Sequence, residues 1–428
     1  MHQQELRTSV PTRLRVLLVA EAVTLAHVAR PVALGMALDI ARYDVCFACD
    51  PRYSHFVANP QWTQRPLHSI SSQHFLQALA QGRPLYNVDT LRAYVNADLR
   101  LIEEFKPDLI VGDFRLSLSV SARRAGIPYV TISNAYWSPY SVRRRFPLPV
   151  LPMTGFMPIP VAKTLFSLVR PAAFAYHAMP LNRIRREYGL PSLGPDLRHI
   201  YTDADHTLYA DIPELFPTIG LPTTHHYLGP VLWSPPVPKP AWWDDLPKER
   251  PIVYVTLGSS GMVELLPALL EALCALPLTV IAATAGAGMK TGYPANVYWA
   301  EYLPGMEAAA RANLVICNAG SLTSQQALAA SVPVLGVASN MDQFLNMEAV
   351  VNFGAGVLIR ADRMSVAGIR TIVSHLLATP EYAHAAAKLA HIFAQYSAPD
   401  RFAAIVAELL GETTTQSGSE AASHSPAP

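Results

Sequence analysis

Residues 299–348 read WAEYLPGMEAAARANLVICNAGSLTSQQALAASVPVLGVASNMDQFLNME, and this stretch decides the fold. The apolar run from Asn313 to Cys317 has the composition of a buried strand. Small residues (Asn318, Ala319, Gly320, Ser321) then make a turn, helical periodicity follows, and Val332-Pro333-Val334-Leu335 begins a second strand. A strand–turn–helix–strand unit turns the free backbone N–H groups of a helix start toward an anion, and Ser and Thr there add hydroxyl donors. Asp342 and Gln343 come after the second strand. They are expected on a loop at the carboxyl end of the sheet, where open α/β sheets bind ligands. A ligand-free βαβ unit is the bland alternative, yet Asp342-Gln343-x-x-Asn346 has no packing reason to stand there.

The order Pro304, Asn318-x-Gly320-x-x-Thr323, Val332-Pro333 and Asp342-Gln343-x-x-Asn346 resembles the donor signature of nucleotide-sugar-dependent glycosyltransferases that act on small molecules, the plant and macrolide type. That resemblance implies the glycosyltransferase-B architecture: α/β, with two Rossmann-like domains facing across a cleft. It places Tyr302 against the nucleobase, Asn318 at the diphosphate where the family has His, Gln326 at the ribose where it has an acid, and Asp342-Gln343 at the sugar hydroxyls. Asn318 cannot carry a positive charge and Gln326 lacks a carboxylate, so the donor's identity is left open. Gly305 stands where plant members have Gln.

The chain has 428 residues, 51% of them apolar and 15% charged, enough for two cores. A net charge of +1 gives no reason to expect nucleic acid as a partner. Cys46 and Cys49 form a C-x-x-C on an expected strand, where residues three apart face opposite ways, so buried thiols are expected and not a metal or redox pair. This fits a reducing compartment, the cytoplasm. The first residues lack the apolar core of a signal peptide, and Pro interrupts the greasy stretch Leu148 to Ala178, which reads as loop and helix and not as a membrane span.

Composition marks residues 232–251 as a Pro-rich linker and 412–428 as a disordered tail. The family resemblance makes 1–231 an N-terminal acceptor-binding half, 252–390 the nucleotide-sugar half and 391–411 a helix returning to the first half. Arg15 to Ala20 is a buried parallel strand, followed by a helix and another strand near Tyr43. His27 lies near the start of that helix, where the positive dipole end favours a neutral, proton-accepting imidazole. The family resemblance makes His27 the catalytic base, in His27-Val28-Ala29-Arg30-Pro31. Asp113 ends the strand DLIVGD; it either orients His27, as in the family, or caps the next helix.

Aromatic and Pro-rich residues 134–176, including Tyr136, Trp137, Tyr140 and Phe146, are expected to line a groove for a hydrophobic small-molecule acceptor. A peripheral membrane patch beside Arg143-Arg144-Arg145 is the competing reading. Gly258-Ser259-Ser260-Gly261 follows the strand Ile252 to Leu257 and suits close approach by a diphosphate. Trp299 is a second candidate platform for the base.

The expected chemistry is an inverting transfer from a nucleotide-diphosphate sugar, a UDP-sugar by the family resemblance, with no metal and no cofactor. The rivals are a nucleotide-sugar-binding protein with weak chemistry, an epimerase, and a transferase using lipid acceptors at a membrane surface. Oligomeric state and sugar identity are not readable from the sequence.

Overall fold

The computed structural model describes residues 13–57, 59–286 and 294–411. The tail 412–428 lies outside the described residues. The first half consists of β1 (Leu14–Ala20), α1 (Leu25–Gly35), β2 (Tyr43–Cys49), β3 (Thr63–Pro66), α2 (Ser72–Ala80), α3 (Val88–Phe105), β4 (Leu109–Asp113), α4 (Leu118–Ala125), β5 (Tyr129–Ser133), α5 (Ile159–Glu187), α6 (Leu197–Tyr201), β6 (His206–Tyr209) and β7 (His225–Tyr227). The second consists of β8 (Ile252–Thr256), α7 (Leu266–Cys274), β9 (Thr279–Ala283), β10 (Val297–Ala300), α8 (Gly305–Arg311), β11 (Leu314–Cys317), α9 (Ser321–Ala329), β12 (Val334–Ala338), α10 (Met341–Phe353), β13 (Gly356–Arg360), α11 (Val366–Ala378), α12 (Pro380–Phe393) and α13 (Ala398–Leu409).

Every strand among the described residues pairs in parallel. The orders are β3-β2-β1-β4-β5-β6-β7 and β10-β9-β8-β11-β12-β13. Helices cover both faces of such sheets, which is why strands such as Val16 to Ala20 are continuous apolar runs instead of alternating ones. In each half the strand order reverses at one place, between β1 and β4 and again between β8 and β11. Those two switch points are where open sheets leave a crevice. The fold is the α/β, two-Rossmann arrangement read from the sequence.

Three local expectations need correction. Residues 159–187 form one 29-residue helix despite Pro171 and Pro180, because Phe174, Ala178, Leu181 and Ile184 bury its second half in the core. Each proline removes a backbone donor, and that is what made the stretch read as broken. Residues 232–251 are not a free joint throughout: Trp243 and Leu246 are buried in the second-half core, and Ser234 accepts the Met306 N–H at 2.7 Å. Finally, residue 390 falls inside α12, whose Ala386, Leu389 and Phe393 belong to the second-half core. The helix that packs on the first half is α13, through Ala398, Phe402 and Val406.

Cys46 and Cys49 do face opposite sides of the first sheet, each in a different apolar cluster, and burial pushes both thiols up to about 12. They are small core residues, not reactive ones.

Candidate active site

The first switch point builds a dyad. β1 and β4 are paired with Ala20 opposite Asp113, so the carboxylate at the end of β4 lies one strand spacing from the start of α1. His27, in the first turn of α1, brings Nδ1 to 2.8 Å from Asp113 Oδ1. Asp113 is fully buried while the imidazole keeps 18% exposure, so the ring faces the cleft and the acid stands behind it. Asp113 does not cap α4, whose cap position is Ser117. Phe114 has φ of 59°, a left-handed conformation that costs about 1 kcal/mol for a residue with Cβ. That conformation stacks its ring on His27 at 4.6 Å and 8°.

Arg30 is the residue that sequence reasoning missed. One helical turn beyond His27, it grips Asp113 with Nε at 2.7 Å and Nη2 at 2.6 Å, and donates from Nη1 to Asn134 at 2.7 Å. Nη2 also lies 3.0 Å from His27 Nδ1. Burial alone would lower the guanidinium pKa, but Asp113 outweighs it and the net direction is up, so the side chain stays cationic. A single cation on an otherwise apolar helix, three residues from His27, was the available signal.

The second switch point faces the first. β8 delivers Gly258-Ser259-Ser260-Gly261 and β11 delivers Asn318, because Thr256 pairs with Cys317. Asn318 donates to Ser260 Oγ at 3.0 Å and accepts the Gly320 N–H at 3.1 Å, fastening the two loops together. Ala319 has φ of 65°, and Asn346 holds that bend by donating to the Ala319 carbonyl at 2.9 Å. The uncapped start of α9 at Ser321 therefore points its free N–H groups into the cleft. Across the gap, Ser259 Oγ accepts the Leu25 N–H of α1 at 2.9 Å, so the start of α1 touches the loop that follows β8.

All the expected donor residues, Gly258, Ser259, Ser260, Tyr302, Asn318, Gly320, Ser321, Thr323, Gln326, Asp342 and Gln343, line this one cleft of about 610 Å³ with His27. Besides Asn318, Ser259 and Ser260, three more are already engaged. Asp342 and Gln343 sit in the first turn of α10 and not on a loop. Gln343 closes a capping box with Asn340 and its Nε2 reaches the Ser260 carbonyl at 3.3 Å, so its amide oxygen is not free for a sugar. Gln326 donates to the Trp233 carbonyl. Asp342 accepts the Trp137 indole N–H at 2.8 Å. Trp299 is 44% exposed on edge strand β10 and does not line the cleft, whereas Tyr302 does, edge-on to Phe56 at 5.2 Å.

Of the four aromatic residues expected to line an acceptor groove, one faces the cleft. Trp137 lines the cleft. Tyr136 is core, 1% exposed and packed on Phe216 at 5.1 Å. Tyr140 packs on His225 at 5.3 Å, and Phe146 lies behind the wall against Phe174 at 5.1 Å. The apolar gallery is instead lined by Phe75, Phe114, Leu116, Phe166, Val169 and Tyr201 among others, these six drawn from four separate segments. Among the described residues no three His, Cys, Asp or Glu side chains gather as a metal-holding group.

Comparison with known proteins agrees with this geometry. A PGL/p-HBAD biosynthesis rhamnosyltransferase of Mycobacterium bovis (strain BCG / Pasteur 1173P2) is 56% identical over 381 residues, covering 89% of this chain and 84% of its own. The chain belongs to this glycosyltransferase family. A PGL/p-HBAD biosynthesis glycosyltransferase of Mycobacterium tuberculosis (strain ATCC 25177 / H37Ra) is 54% identical over 384 residues, 90% of each chain. One relative, 54% identical over 264 residues, 62% of this chain and 72% of its own, is named an inactive PGL/p-HBAD biosynthesis glycosyltransferase, from Mycobacterium bovis (strain BCG / Pasteur 1173P2). The family model "Erythromycin biosynthesis protein CIII-like, C-terminal domain" matches residues 268–409 of the glycosyltransferase. Among solved structures, the spinosyn rhamnosyltransferase SpnG superposes with a TM-score of 0.66 at 19% identity, covering 93% of this chain and 100% of its own. At that identity the likeness establishes the fold. SpnG has also been solved complexed with thymidine diphosphate and with spinosyn aglycone.

Proposed function

We propose that the glycosyltransferase moves a 6-deoxyhexose, with inversion, from a nucleoside diphosphate sugar to a hydroxyl on a lipidic acceptor. The observation that carries this reading is the His27–Asp113 contact at one switch point, facing the Asn318–Ser260 turn and the α9 start at the other, with an apolar gallery opening between them. With Nδ1–H donated to Asp113, Nε2 is the lone pair free to take the acceptor's proton. The acceptor oxygen attacks the anomeric carbon as its proton passes to Nε2, and the bond to the diphosphate breaks on the opposite face. The leaving negative charge is met by the α9 N–H groups and by the Ser321 and Thr323 hydroxyls, so a metal is not required.

The deoxy sugar is supported by the rhamnosyltransferase names of relatives. A lipidic acceptor is supported by the gallery's apolar lining. The sequence reading of a UDP donor competes with a thymidine diphosphate donor, the nucleotide with which SpnG was solved.

The test is His27→Ala assayed with UDP- and dTDP-linked sugars. Transfer falls at least about a hundredfold while calorimetric donor binding is unchanged, the usual weight of a positioned base; an undiminished rate overturns the assignment. A protein that binds nucleotide sugars without transferring them is the second reading, favoured by Asn318 being occupied by Ser260 and Gly320. Acceptor-dependent release of free nucleoside diphosphate excludes it.

A further inference from the structure

The surface left unexplained by catalysis is α5 and the loop leading into it. Phe156, Val161, Leu165, Leu168, Val169 and Tyr176 are between 41% and 78% exposed. An apolar run of that extent on one element is an interaction surface and not scattered surface apolarity. Leu165 and Val169, together with Phe166 and Ala173, also line the gallery. One helix is therefore the outer wall of the acceptor chamber and an apolar face toward solvent.

Charge accompanies this face. Residues 114–186 contain no Asp or Glu at all, in a chain whose totals are 32 acids and 33 bases. Arg144, Arg145 and Lys163 are exposed, and none of them forms an ion pair with a described residue. Phe146, next to Arg145, packs on Phe174 of α5 with the Arg170 guanidinium 4.8 Å above its ring, so the basic loop is fastened to the helix. No described helix is long and apolar enough to cross a membrane. Apolar side chains flanked by unpaired cations are the composition that lies in a bilayer interface and favours anionic lipid.

We propose that α5 with the 143–146 loop seats the protein on an anionic bilayer surface, where a lipid-borne acceptor enters the gallery along this helix. The route depends on the lipidic acceptor proposed above; the seating does not. A second copy of the chain is the rival occupant of this face, and the experiment discriminates between them.

The full chain is floated with phosphatidylcholine vesicles with and without phosphatidylglycerol, alongside Val161→Glu/Leu168→Glu and Arg144→Glu/Arg145→Glu. These four positions do not line the cleft. Wild type is expected to float with the anionic vesicles and to be released by salt, and each double variant to lose about tenfold in partitioning. Transfer to an acceptor embedded in the vesicles falls with it, while transfer to a short water-soluble acceptor and the melting temperature stay unchanged. Wild type that fails to float, variants that float equally, or a dimer split by Leu168→Glu without vesicle binding each overturn the proposal. Loss of transfer to the soluble acceptor on His27→Ala reports separately on catalysis, so the two readings fail independently.

Discussion

Trp137 donates its indole N–H to the Asp342 carboxylate at 2.8 Å, joining the first half of the chain to the second across the cleft. The two residues read from sequence as an acceptor platform and a sugar contact; in the fold they latch the halves. Trp137→Phe keeps most of the ring area and leaves Asp342 without this partner, a loss of about 1–3 kcal/mol. The expected result is a rise of about tenfold or more in KM for the donor with little change in kcat. Unchanged steady-state constants would show that the latch is not kept during turnover.

Arg30 holds both oxygens of the buried Asp113. Arg30→Met leaves that carboxylate without its guanidinium partner and should destabilise the protein by about 3–5 kcal/mol, read by urea denaturation. Arg30→Lys keeps the charge but cannot supply the planar fork. It should fold, bind the donor normally and turn over about tenfold or more slowly, because Asp113 no longer stands squarely behind His27. Wild-type kcat in Arg30→Lys would show that the fork does not position the dyad.

Gln343 separates a structural role from a ligand-binding one. Its amide oxygen accepts the Ser339 N–H at 2.8 Å and the Asn340 N–H at 3.2 Å. Gln343→Ala is expected to cost about 1 kcal/mol of stability, the usual weight of a cap, with a small effect on donor affinity. A large calorimetric loss of donor affinity in a stably folded variant would return the residue to the sugar.

Gly229 has φ of 97°, and a Cβ there would stand 2.3 Å from Tyr396 Cβ, on the segment that links α12 to α13. Gly229→Ala combines a strained backbone with that clash, and a loss of roughly 2–4 kcal/mol is expected by denaturation. Accelerated proteolysis after α12 would show that α13 has come off the first half.

Acid should weaken the protein through His225. Burial, with His226 and His206 beside it, pushes this imidazole down to about 4, and the Tyr209 hydroxyl lies 2.8 Å from its Nδ1. Unfolded histidine titrates near about 6.5. Between those values the unfolded chain binds a proton that the folded site refuses, so this stability is complete above about pH 6.5 and is lost as pH falls toward 4. The melting temperature of His225→Gln, followed from pH 7 to 4, should fall less than that of wild type; parallel curves would remove His225 from the account.

Much of the site was legible because parallel sheets write their ends into sequence. Continuous apolar runs marked β1, β4, β8 and β11; the small turns just beyond β8 and β11, Gly258-Ser259-Ser260 and Asn318, reach the crevice, and Asp113 at the end of β4 stands behind it. His27 lies seven residues past the end of β1, and the family pattern around it, not the strand end, singled it out. Asn340-x-x-Gln343 was also legible, as capping-box spacing, but the ligand motif read over it. Arg30 escaped because a cation on a helix reads as solvated until a buried carboxylate is known to lie beneath it. Tyr136, Tyr140 and Phe146 escaped because aromatic content does not reveal which ring faces inward.

The sequence by itself determined the two αβ halves, their order and the residues at strand ends, since backbone hydrogen bonding and apolar burial act locally along the chain. Only the tertiary structure decided which side chains meet across the gap: Leu25 with Ser259, Trp137 with Asp342, and Gln325 with the Ala210 carbonyl at 2.8 Å. Those pairs lie 115 to 234 residues apart in the chain, and their meeting depends on how two rigid bodies pack, which no local pattern encodes.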